Sequence, residues 1–160
     1  MRDIRPDSDD CCVRAEVFMR RGEMGYAVEY YLKALELDPK SVAAHLNLAI
    51  IYEDNDISKS IVHYNEVLKV ESKNVEALYG LGRVYGMEGN IDESIKYFKE
   101  CIRFDSFDSR PYCGLGVAYS IQKDYGKSIA SFEKALELNP FDFKAMKLLG
   151  QVRDEMGDVE

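Results

Sequence analysis

The sequence predicts an all-α protein in which antiparallel helix pairs stack on one another. Three observations carry that prediction. First, Leu78, Leu81, Gly82 and Tyr85 fall at i, i+3, i+4 and i+7, the spacing of a single helix face. Second, the pattern returns about every 34 residues, at Tyr112, Leu115, Gly116 and Tyr119 and at His45, Leu48, Ala49 and Tyr52. Changed versions stand at Cys11, Arg14, Ala15 and Phe18 and at Met146, Leu149, Gly150 and Arg153. Third, another amphipathic pattern follows each of the first four sets. It runs through Ala27, Val28, Tyr31, Ala34 and Leu35, then Ser60, Ile61, Tyr64, Val67 and Leu68. It continues with Ser94, Ile95, Phe98, Cys101 and Ile102, and with Ser128, Ile129, Phe132, Ala135 and Leu136.

The elements follow in order. A flexible segment is expected over residues 1–7, then helix pairs over 8–41, 42–74, 75–108 and 109–142, then a single capping helix over 143–157. Within a pair the turns read "RRGEM", "EDND", "MEGNI" and "IQKDY"; between pairs they read "LDPKS", "ESKN", "FDSFDS" and "LNPFD". Pro39 and Pro140 end the helix before them, because proline lacks the N–H that continues the ladder. Asp, Ser and Asn in these connections can accept from the first free N–H groups of the next helix. Pro111 falls in a first helical turn, where its missing N–H costs little.

The glycines of "ALYGLGRVYGMEG" come close to a dinucleotide-binding turn, but that turn must follow a strand. The residues before it, "VESKNVEA", are polar and helix-compatible, and a phosphate loop has no reason to recur in every unit. Small residues at one place in each helix do have a reason: they let a neighbouring helix approach.

A helix–turn–helix unit of this length, with these small and aromatic positions, resembles the tetratricopeptide repeat. "AVEYYLKALELDP" and "SIASFEKALELNP" resemble its second helix and proline stop, and "LYGLGRVYGMEGNIDESIKYF" its first helix and turn. The resemblance covers four repeats and the first helix of a fifth. It departs from the pattern in the shorter turn of repeat two, in Arg14 for leucine, and in Ser72 and Ser106 for proline. It implies a right-handed superhelical α-solenoid whose concave face is lined by the first helices. The recurring rings are then core, and truncating one to alanine is expected to cost about 3–5 kcal/mol.

Helical geometry assigns the groove. The expected lining is Cys12, Val13, Glu16 and Met19, then Leu46, Asn47, Ile50 and Glu53, then Glu76, Tyr79, Gly80, Arg83 and Met87. Repeat four adds Arg110, Cys113, Gly114, Val117 and Ile121, and the capping helix adds Lys144, Lys147, Leu148 and Gln151. The peptide-binding candidates among them are Leu46, Asn47, Ile50, Tyr79, Gly80, Arg83, Arg110, Cys113, Val117, Ile121, Lys144 and Lys147. On this reading Gly82 and Gly116 admit a neighbouring helix, while Gly80 and Gly114 leave room for a ligand's main chain. The apolar middle of the groove suits a partner, and the cations at its C-terminal end suit an acidic group.

The composition narrows the partner. A net charge of −8 opposes general binding to nucleic acid or anionic membrane. No run of residues is long and apolar enough for a transmembrane helix, and "MRDIRPDSDD" has no apolar leader core. Cys11, Cys12, Cys101 and Cys113 lack C-x-x-C spacing, so reduced thiols in cytoplasm or nucleus are expected. "DNDISKS" lacks the glycine and glutamate of a calcium loop. No catalytic set, cofactor or metal site is expected, and the chain reads as a non-enzyme.

One subfamily of these repeats holds chaperone tails ending in EEVD with a clamp of lysine, asparagine and arginine. From repeat one only Asn47 fits; from repeat two only Arg110 does; from repeat three Arg83 and Lys144 lack the rest. That ligand is not expected. The leading expectation is a non-catalytic scaffold or adaptor that binds a peptide segment of a partner protein. Two alternatives stay open: a self-associating structural subunit, and the targeting part of a larger complex subunit or enzyme. The last follows from "MGDVE", where a second helix of repeat five would begin.

Overall fold

The computed structural model describes residues 7–157. They form α1 (Ser8–Arg20), α2 (Met24–Leu37), α3 (Val42–Tyr52), α4 (Ile57–Val70), α5 (Val75–Met87), α6 (Ile91–Phe104), α7 (Ser109–Ile121), α8 (Tyr125–Leu138) and α9 (Phe143–Gly157), with no strand among the described residues. The chain divides into two compact units, Met1–Ala77 and Leu78–Glu160.

Acidic and amide caps open many of the helices. Asp7, assigned above to a flexible segment, instead caps α1: its side chain accepts from the Asp10 N–H at 2.8 Å, and Asp10 accepts in return from the Asp7 N–H. The rest of that expected segment lies outside the described residues. Asp56, Asp108 and Asp124 accept from the opening N–H groups of α4, α7 and α8. Asp142 does the same for Ala145 at 2.9 Å. Each cap satisfies a donor that the helix itself leaves free.

In the first unit α1 packs on α2, α2 on α3, and α3 on α4. Cys11, Cys12, Ala15, Ala27, Tyr31, Ala34, Ala44 and Leu48 make its core cluster. Leu48 thus seals the α1–α2 pair from the next repeat, whereas its counterpart Arg14 is exposed. Cys12 and Glu53, expected in the groove, are buried instead. Cys12 joins the α1 core, and Glu53 accepts from the Tyr64 hydroxyl at 2.6 Å.

In the second unit α6 packs on α7, α7 on α8 and α8 on α9. Phe98 with Leu115, Ala118 and Tyr119 forms one layer, and Phe132 with Ala145, Leu149 and Val152 the next. Leu149 repeats on α8 what Leu48 does on α2. On α9, Arg153 pairs with Glu133 of α8 at 2.7 Å.

Candidate functional site

The second unit carries an open cavity of about 460 Å³. Tyr79, Arg83 and Met87 of α5 form one wall, and Arg110, Cys113, Val117 and Ile121 of α7 the other. Ile91, Ser94 and Phe98 of α6 close the back, while Asp142 and Lys144 stand at the α9 end. Seven of the twelve peptide-binding candidates (Tyr79, Arg83, Arg110, Cys113, Val117, Ile121 and Lys144) therefore meet around one space.

Tyr79 organises the cationic end. Its ring packs at 5.9 Å, tilted, on Phe98, and burial pushes its phenol pKa up. Arg110 Cζ lies 4.8 Å from the ring centroid and Arg83 Cζ 6.0 Å away, within reach of its π face. Arg110 is also committed elsewhere. Its Nη2 is 2.7 Å from Asp108 Oδ2, and the same carboxylate caps α7 by accepting from the Arg110 N–H at 2.9 Å. Much of its charge is thus neutralised before any ligand arrives.

The apolar end is exposed for its composition. Met87 is 51% exposed, Val117 36% and Ile121 58%, all facing the same cavity. Cys113 is half-buried between the two ends. Burial first, and then the Asp142 carboxylate, raise its thiol pKa, with Lys144 opposing. The thiol therefore stays protonated and behaves as a small apolar wall group.

Other predicted residues fall elsewhere or serve a different purpose. Gly80 is buried and does not line the cavity, and Lys147 is exposed outside it. Gly114 lines the cavity, but its missing Cβ serves Phe98: a Cβ there would lie 2.5 Å from Phe98 Cζ. The space is filled by the protein's own ring rather than left for a ligand's main chain. Leu46, Asn47 and Ile50 belong to the first unit, where Ile50 is exposed and Asn47 Nδ2 donates to its own helix at Ala43 O, 2.9 Å away. Asp142 was missed because a carboxylate in an inter-repeat connection reads as a cap. It is one, and it lines the cavity as well.

Helix pairs with recurring small and aromatic positions, packed repeat on repeat within each unit, define a helical-repeat protein. Residues 75–108 and 109–142 match the tetratricopeptide repeat, and residues 15–56 match the TPR repeat. The chain belongs to the tetratricopeptide repeat family. A relative, Superkiller complex protein 3 of Mus musculus, is 30% identical over 92 residues, 55% of this chain. The match spans only 6% of that relative. Among solved structures, the MamA protein superposes with a TM-score of 0.84 at 22% identity, covering 94% of this chain and 82% of its own. Pseudomonas aeruginosa pilF gives 0.84 at 22%, covering 94% and 69%. A chain of the APC/C hetero-tetramer Cut9-Hcn1 gives 0.83 at 18%, covering 91% and 30%. These likenesses show the fold class, an all-α superhelical repeat. No described helix is long and apolar enough to cross a membrane.

Proposed function

We propose that this chain is a non-catalytic interaction module whose second unit holds a peptide segment of a partner protein in the Tyr79–Ile121 cavity. The observation that carries this reading is one cavity whose lining combines exposed Met87, Val117 and Ile121 with Arg83 and Lys144. The segment then offers an apolar side chain to the first group and a carboxylate to the second. A relative named for its complex and a neighbour solved in a hetero-tetramer support an interaction role. The fold is of a kind typical of scaffolds rather than enzymes.

Selection of displayed peptides on the whole chain tests the reading. It expects enrichment of sequences pairing an apolar residue with Asp or Glu, and loss of their binding when Tyr79→Ala and Arg83→Glu are combined. Equal binding by wild type and the double variant, with helicity unchanged, would sink it.

One observation favours a second reading, self-association. Phe107, Phe141 and Phe143, at the α6–α7 and α8–α9 connections, are 84%, 79% and 74% exposed. Sedimentation across a concentration series separates the two: a strict monomer removes this alternative and leaves the cavity reading standing.

A further inference from the structure

We propose that the face of α9 carrying Met146, Gly150 and Arg153 docks an amphipathic helix of a partner protein, one that brings a serine and, four residues later, an aromatic ring. The starting point is a glycine that no described neighbour requires. Gly150 lies in the middle of α9, where glycine is disfavoured relative to alanine because its backbone is freer in the unfolded chain. Nothing described lies within 4 Å of the place its Cβ would occupy. Gly82 and Gly116 hold the same position in the two preceding repeats, and both are needed there. A Cβ on Gly82 would stand 2.6 Å from Phe98 Cδ1 of α6, and one on Gly116 2.7 Å from Phe132 Cδ1 of α8. The neighbouring positions show the same contrast. Tyr119 of α7 is buried, whereas Arg153, at its place on α9, is exposed, and Met146 one turn before Gly150 is 45% exposed.

The two filled sockets define what fits the third. Ser94 and Ser128, each four residues before its ring, donate to Gly82 O at 2.6 Å and to Gly116 O at 2.7 Å. An occupant of α9 therefore offers a hydroxyl to the Gly150 carbonyl and a ring to the space beside its Cα. Charge sets the residue just before that ring. Tyr97, which precedes Phe98, stacks on Tyr85 at 5.4 Å with 3° between the planes. Arg153 stands where that tyrosine does, and already pairs with Glu133 at 2.7 Å. A guanidinium has donors for a second carboxylate, so Asp or Glu before the ring suits this face and lysine does not.

The occupant is a partner rather than a second copy of this chain. The second helices of the four repeats carry Tyr31, Tyr64, Phe98 and Phe132 at the ring position, and all four rings are buried in their own chain. A folded copy thus has no such helix to lend without unfolding a repeat. The face is also separate from the Tyr79–Ile121 cavity, whose lining includes none of Met146, Gly150 and Arg153.

The test titrates the whole chain into a fluorescein-labelled peptide of residues 124–139, which is α8 with its Asp124 cap and carries the serine–ring pair. Fluorescence anisotropy should report saturable binding of one peptide per chain. Phe132→Ala in the peptide should weaken it at least about tenfold, through loss of the ring. Ser131→Glu in the peptide should tighten binding and Ser131→Lys weaken it, each about twofold to fivefold. In the protein, Gly150→Ala should weaken binding about tenfold by filling the socket, while raising the melting temperature of the free chain. A loss accompanied by a higher melting temperature cannot come from unfolding. No saturable binding, equal binding by wild type and Gly150→Ala, or indifference to Phe132→Ala or to the charge at 131 would each overturn the proposal. Dimers at high protein concentration that Gly150→Ala dissolves would place a second copy on this face and overturn it too.

Discussion

The Phe98 ring fills the space in which the side chain of residue 114 would begin. A Cβ on Gly114 would lie 2.5 Å from Phe98 Cζ, and one on Gly82, across the same ring, 2.6 Å from Cδ1. Two glycines on α5 and α7 thus clamp a buried aromatic of α6, and a rigid ring cannot yield as a flexible chain would. Gly114→Ala is expected to cost about 1–3 kcal/mol through overpacking. The penalty should shrink in a Phe98→Leu background, where the smaller side chain leaves room for the new methyl. Urea unfolding of the four members of this cycle measures the coupling, and an undiminished penalty in that background would refute the clamp.

Three serines at equivalent places behave differently. Ser94 Oγ donates to Gly82 O at 2.6 Å and Ser128 Oγ to Gly116 O at 2.7 Å, each tying a second helix to its first. Ser60 Oγ is fully buried and has no hydrogen-bond partner. The cause is local: the second turn is one residue shorter, and Ala49 carries a Cβ where Gly82 and Gly116 have none. Ser94→Ala and Ser128→Ala should each cost about 1–3 kcal/mol by leaving a buried carbonyl less satisfied. Ser60→Ala should be neutral or stabilising, because it removes an unsatisfied hydroxyl. Melting temperatures of the three variants decide the matter, and an equal loss in all three would contradict it.

These cases show what could be read in the sequence. Leu48, Leu115 and Leu149 recur because the repeat that carries each covers the one before it, so pairing and packing faces follow from periodicity alone. Tyr79, Arg83, Val117 and Ile121 could be placed near one another for the same reason. Gly114 could not be assigned to ligand or neighbour, since either use asks only for a missing Cβ and the direction of the Phe98 ring settles it. The Arg110–Asp108 pairing depends on a side chain folding back over its own cap, and Glu53 is buried because Tyr64 supplies a donor. Neither leaves a periodic trace.

Lys123 is a lysine where two other turns have glycine. Gly22, Gly89 and Lys123 have φ of 76°, 82° and 60°, all left-handed. The hydrogen bonding is shared: Gly22, Gly89 and Lys123 donate to Met19, Gly86 and Ser120, and the following residues donate to Phe18, Tyr85 and Tyr119. A residue with a Cβ is disfavoured in that conformation, and glycine is not. Lys123→Gly should therefore stabilise the protein by about 0.5–1 kcal/mol, the strain relieved being partly offset by the freer unfolded chain. An unchanged or lowered denaturation midpoint would show that the turn carries no such strain.

His63 makes stability depend on pH in a definite direction. Its folded pKa lies below the ordinary 6.5, first through burial and then through His45, with Glu66 opposing and Lys59 assisting. Between its unfolded and folded values the unfolded chain binds more protons, so acid favours unfolding there. The stabilisation tied to neutral His63 is complete above about pH 6.5, declines as pH falls toward the folded value, and changes no further below it. His63→Asn retains an N–H for His45 Nδ1 without the titration. Thermal melts of both proteins from pH 7.5 down to 5.5 should show the wild type losing more stability than the variant, with the difference opening below about pH 6.5. Parallel curves would mean that His63 titrates alike in both states, and that the imidazole contact with His45 does not hold it neutral.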